Sequence, residues 1–100
     1  MASEYGKVFS LADGDQTVAS LFAAIDIFPG VKSLEIRCET AGPIAVSVGI
    51  VLVALAGGKQ LSATDDSYDT VAKFEQIDLG KVHIFAVGAG DKAYIQARGF

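Results

Sequence analysis

Tryptophan is absent from this chain of 100 residues, and cysteine, histidine and methionine each occur once. The single cysteine, Cys38, excludes an intrachain disulfide and with it the stapled scaffolds of small secreted domains. One histidine and one cysteine are too few for a zinc site, which takes three or four protein ligands. No Gly-x-Ser-x-Gly stretch is present to hold a nucleophilic serine; Ser47-Val48-Gly49 lies inside an apolar run and predicts a strand. His83, within Lys81-Val82-His83-Ile84-Phe85, is read as structural or solvent-facing. Lysine plus arginine number 8 against 12 aspartate plus glutamate, a net charge of −4 without a basic run. Nucleic acid is therefore not an expected partner, because phosphate binding needs a concentrated basic face. The opening MASEYGKVFSLADGD lacks the basic region and apolar stretch of a secretory signal, so we expect a chain made and folded in the cytoplasm. Together these absences predict a non-enzymatic protein with no metal and no cofactor.

Apolar residues, by contrast, are in excess. The 51 hydrophobic residues, less the 3 tyrosines and with the 11 glycines added, make 59 of 100, against roughly 45–50% in ordinary soluble domains. A single domain spanning residues 1–100 holds one modest core. Part of the surplus is therefore expected to be covered by copies of the same chain or by a partner. It concentrates in IAVSVGIVLVALAGGK, residues 44–59, inside an uncharged stretch of 19 residues from Thr40 to Gly58.

That length would just cross a bilayer as a helix. Pro43, Gly42, Gly49, Gly57 and Gly58 interrupt it, however, and no basic cluster flanks it. Ile44, Val46, Val48, Ile50, Val51 and Val53 are β-branched and fit a pleated surface better than a helix. We therefore expect no membrane span but a strand apolar on both faces from Ile44 to Ala56. It would be about 43 Å long at about 3.3 Å per residue, with a bulge or bend at Gly49. Ile44, Val46, Val48, Ile50, Val51, Leu52 and Val53 are the predicted residues of the sheet core and its self-contact.

Turn signals recur along the chain. Asp13-Gly14-Asp15 separates Tyr5–Leu11 from Gln16–Phe22, Pro29-Gly30 precedes Val31–Thr40, and Ala41-Gly42-Pro43 and Gly57-Gly58 bound the long run. Gly80 divides Val71–Leu79 from Lys81–Val87, and Gly88-Ala89-Gly90-Asp91 turns into Lys92–Arg98. Read as hairpin boundaries, they predict an all-β fold. We expect an antiparallel β-sandwich or small barrel of seven or eight short strands. Period-two alternation supports this at Leu34, Ile36 and Cys38, and again at Ala93, Ile95 and Ala97 against Lys92, Tyr94, Gln96 and Arg98. Cys38 there behaves as a small buried hydrophobe. A stripe of Val18, Leu21, Phe22 and Ile25 gives a short helix within Thr17–Ile27 as the alternative, while Ser62 to Asp69 predicts a polar loop.

In that loop Asp65, Asp66 and Asp69 are the best-placed carboxylates for a calcium ion. Their spacing lacks the glycine and glutamate of an EF-hand, and a solvated loop accounts for them. Gly88-Ala89-Gly90 lacks the Lys-Ser/Thr and the following helix of a phosphate loop, so a hairpin tip is expected. Tyr5, Tyr68 and Tyr94 alone have amphipathic rings, and Tyr68 and Tyr94 are the candidates for a sugar platform, with structural packing as the alternative. Asp65, Asp66, Tyr68 and Asp69 therefore form the candidate ligand loop of an alternative function, a carbohydrate- or receptor-binding module.

Through its end, VHIFAVGAGDKAYIQARGF, the pattern resembles the small all-β virion proteins of tailed bacteriophages. These are the capsid decoration or cement proteins and the small tail or head-fibre modules. The shared features are a short chain, strands rich in Gly and Ala, no catalytic set, and a last strand running to the final residue. The resemblance implies a structural protein assembled in the host cytoplasm into a virion, a dimer or trimer that bridges neighbouring units of a major capsid protein. It is a resemblance of overall style, and no residue role is carried over from it.

Overall fold

The computed structural model describes residues 4–22 and 30–99. Eight strands run through them: β1 (Glu4–Ser10), β2 (Gly14–Thr17), β3 (Gly30–Cys38), β4 (Ile44–Val48), β5 (Lys59–Leu61), β6 (Val71–Asp78), β7 (Val82–Ala86) and β8 (Lys92–Arg98). They form two four-stranded antiparallel sheets, ordered β1-β8-β3-β6 and β2-β7-β4-β5. The expected all-β sandwich is thus the architecture. Its pairing follows one rule: the first strand lies against the eighth, the second against the seventh, the third against the sixth and the fourth against the fifth. A long hairpin, β1–β4 against β5–β8, has been rolled into two layers, which is the jelly-roll topology.

The rolling corrects one expectation. Only β4 and β5 are consecutive strands paired in one sheet; the other six connections cross between the layers. Gly88-Ala89-Gly90 is therefore not a hairpin tip but a crossover from β7 to β8, with Gly88 and Gly90 at φ of 79° and 118°. Glycine and aspartate specify that the chain reverses, but not which layer receives the next strand. That choice follows from burial, because crossing over brings the apolar faces of the two sheets together.

The core shows why the alternating segments read correctly. Leu34, Ile36 and Cys38 of β3, Ala93, Ile95 and Ala97 of β8, and Val82, Ile84 and Ala86 of β7 are all buried. The small alanines of β8 face large rings on β1, with Phe9 in register with Ala93 and Tyr5 with Ala97. Both rings also meet Phe22, at centroid separations of 5.6 Å for Tyr5 and 5.1 Å for Phe9. Large against small across the pair lets the side chains of the layer interdigitate. The helix expected within Thr17–Ile27 is a single turn, α1 (Val18–Leu21), capped by the Thr17 hydroxyl, which accepts the Ser20 N–H at 3.1 Å. Ile25 and Pro29, named in the sequence pattern, lie outside the described residues. No helix among the described residues is long and apolar enough to cross a membrane.

Candidate functional site

The long apolar run does not stay a strand. β4 ends at Val48, and Gly49, at φ 75°, turns the chain while its N–H donates to the Lys81 carbonyl at 2.6 Å. Ile44 and Val46 point into the core, whereas Ala45 points outward and is nevertheless fully buried. A second layer must cover it. In register across the outer face, Asp15 of β2 stands beside Phe85 of β7, and Phe85 beside Ala45. The Leu52 N–H donates to Oδ1 of Asp15 at 2.9 Å, which lays the segment after Gly49 over this face. Leu52 is 2% exposed, packed near Gly57 at the end of a 3-10 turn, Leu55–Gly57. The expected strand of thirteen residues is thereby corrected: the second apolar face of the sheet is covered by the same run folded back.

Folding back leaves a remainder. Val48, Ile50, Val51 and Val53 are 45%, 59%, 64% and 88% exposed. The seven residues predicted for the core and self-contact thus separate into Ile44 and Val46 in the core, Leu52 under the loop, and four aliphatic side chains in solvent. These four fall within six consecutive residues, whereas Val8 and Val87, 46% and 64% exposed, lie elsewhere in the chain.

Beneath the loop lies a polar set. The carboxylate of Asp15 accepts the Leu52 amide through one oxygen, and its other oxygen lies 2.9 Å from Nδ1 of His83. A carboxylate can only accept, so Nδ1 carries the proton. Ser47 is in register with His83 on the same face. Serine, histidine and aspartate therefore share one surface, as in a nucleophilic triad. The Ser47 hydroxyl, however, donates to the Ile50 carbonyl. Ser47 and Asp15 each bond the loop, and His83 pairs with Asp15.

A scan against protein-family models finds no match, and a search of curated proteins finds no significant relative.

Two of the three carboxylates in the acidic loop are engaged within the fold. Asp65 accepts the Ser67 N–H at 2.9 Å, an Asx turn closing on itself. Asp69 reaches back to Lys59 of β5 at 3.1 Å. Ser62, buried at the base, donates to the Ala41 carbonyl and accepts the N–H groups of Thr64 and Asp65. Among the described residues no three His, Cys, Asp or Glu side chains converge as metal ligands. Tyr94 stands apart from Tyr68, on the outer face of the other sheet. Its hydroxyl lies over Gly6, where an added Cβ would come within contact of it, and the Arg37 guanidinium sits 5.8 Å from its ring centre. The ring is packed into a charged lattice in which Glu35 pairs with Arg37 at 3.3 Å and Lys73 at 3.9 Å. A shallow depression of about 140 Å³ lies alongside, bounded by Glu35, Lys73, Glu75, Gln96 and Arg98.

The sequence missed Asp15 and His83 as parts of this site, since one reads as a turn residue and the other as an isolated histidine. The available signal was polar side chains at outward positions of strands whose neighbours are apolar, His83 in Val82-His83-Ile84 above all.

Proposed function

We propose that this chain is a non-enzymatic assembly protein whose working surface is the Val48–Val53 loop, and that it serves in a virion as a capsid decoration component. The observation that carries the assembly function is the exposure of four aliphatic side chains on a loop that is itself fastened to the sheet. Jelly rolls recur in viral capsid proteins, and also in lectins and cupins; that analogy of fold supports the virion setting and does not by itself select it. The major capsid protein would be the lattice on which copies sit.

The first partner is a second copy of the chain. The four exposed fractions amount to about two and a half whole side chains, and burying one is worth roughly 1.5–3 kcal/mol. An isologous contact presents the same patch twice, so its gross gain is on the order of 8–15 kcal/mol, against an association cost of about 4–15 kcal/mol. These magnitudes place the contact near the threshold of stable association, and the dimer should respond to dilution. Light scattering coupled to size-exclusion chromatography, over a dilution series, tests this. The wild type should exceed the monomer mass, and Val51→Asp, which puts a charge into the contact, should reduce it to 10.4 kDa. A Val51→Asp chain that assembles like the wild type would remove this surface from consideration.

A further inference from the structure

Two of the ties that hold the exposed loop act at its start, where β4 ends. The Ser47 hydroxyl reaches Ile50 three residues on, and the Gly49 amide reaches Lys81 at the point where β4 ends. Asp15 differs: it belongs to β2, at the far edge of the sheet, and it grips the middle of the apolar segment at the Leu52 amide. We propose that Asp15 is the positioning residue of the assembly surface, holding Val48, Ile50, Val51 and Val53 in their presented arrangement before a second copy arrives, with His83 fixing Asp15 in turn. The proposal rests on the assembly function above.

The chemistry suits the role. A carboxylate has two acceptor oxygens and here commits one to each partner, both at 2.9 Å. Both bonds involve an ionised acceptor and are stronger than neutral ones. The side chains of His83 and Asp15 are only 12% and 19% exposed, so water competes poorly for them. Leu52 then acts as the pivot. Its amide is held by Asp15, its side chain is buried, and its neighbours Val51 and Val53 are consequently directed to solvent.

The consequence for assembly is amplified by symmetry. A partner binds only the fraction of protomers whose loop is presented, and an isologous dimer needs two such protomers. If removing the tie lowers that fraction about tenfold, the apparent dissociation constant rises about a hundredfold.

The test compares wild type, Asp15→Ala, Asp15→Asn and Val51→Asp by light scattering over dilution, thermal melting, and hydrogen exchange at the Leu52 amide under monomeric conditions. Asp15→Ala should weaken assembly about a hundredfold and lose protection at Leu52 while still melting cooperatively. Asp15→Asn keeps an acceptor oxygen and should fall between it and the wild type in both readouts. Asp15→Asn also keeps the comparison open if the alanine variant does not fold. Should the Asp15 variants assemble like the wild type while Val51→Asp dissociates, the positioning role is wrong and the surface stands. A monomeric wild type, or a Val51→Asp chain that assembles normally, would overturn the assembly function and this role with it.

Discussion

Adjacent residues in the loop should respond oppositely to truncation. Leu52 is 2% exposed and Val51 is 64% exposed, so Leu52→Ala removes buried atoms and Val51→Ala removes solvated ones. Leu→Ala deletes three carbons, worth about 0.8 kcal/mol each in transfer, or about 2.4 kcal/mol. Cavity formation adds to this and brings typical costs to about 2–5 kcal/mol. Leu52 lies under a loop on an outer layer, which can settle toward the sheet, so about 2.5–3.5 kcal/mol is expected. In a domain of this size each kcal/mol moves the melting temperature by roughly 4–8 °C, giving a loss of about 10–28 °C. Val51→Ala should stay within about 0.5 kcal/mol in the monomer and weaken self-association instead. Urea unfolding at concentrations where the chain is monomeric separates the two: Leu52→Ala shifts the midpoint with an unchanged slope, and Val51→Ala does not. Equal losses from both would refute the folded-back path of residues 49–58, because a strand buried on both faces would bury the two neighbours alike.

Two other outcomes follow from the packing. A Cβ at Gly58 would sit 2.7 Å from the Val46 carbonyl oxygen and 3.1 Å and 3.2 Å from further Val46 backbone atoms; Gly58→Ala should cost about 1–3 kcal/mol, whereas Gly49→Ala meets open space and pays only for its φ of 75°, about 1–2 kcal/mol, and chemical denaturation of both variants checks the comparison. Cys38 is buried with its thiol directed at the Thr40 carbonyl, so a thiol-counting reagent should modify it only as fast as the chain unfolds; immediate reaction in native buffer would contradict its burial.

The parts of the fold that were legible in the sequence are those in which a side chain's fate is decided locally. Leu34, Ile36 and Cys38 alternate with polar residues because one face of β3 meets the core and the other meets water, and β8 repeats the arrangement. The polar loop from Ser62 to Asp69 and the helical turn after Thr17 are likewise set by short-range bonds, from Asp65 to Ser67 and from Thr17 to Ser20. The fate of Ile44 to Ala56 is not local. A run without polar residues has no period, so nothing in it distinguishes Ile44, buried between the sheets, from Leu52, buried outside them, or from Val53 in solvent. Asp15 was hidden for a related reason: its partners His83 and Leu52 lie 68 and 37 residues away, and its immediate neighbours say only that the chain turns there. Gly6 depends in the same way on a distant residue, since the ring lying across it is that of Tyr94 in the last strand.

The sheet edges bear on how an apolar excess of this size can lead to assembly at all. Exposed edges invite strand addition, which propagates without closing. In this chain each edge is blunted. β2 has four residues and β5 three, too short to template a long ladder. β6 carries Gln76 at a φ of 48°, which breaks its regular extension. β1 is the longest regular edge, and on its core side, in register with Ile95 and between Tyr5 and Phe9, it places Lys7 with its Nζ 5.6 Å from the Phe9 ring centre. A charge pointing toward the apolar side of an edge strand penalises any partner that would bury it. With strand addition disfavoured on all four edges, the proposed assembly would draw on exposed apolar side chains such as those of the folded-back loop. A contact made by one patch per protomer can close on itself by two-fold symmetry, which edge-to-edge growth cannot.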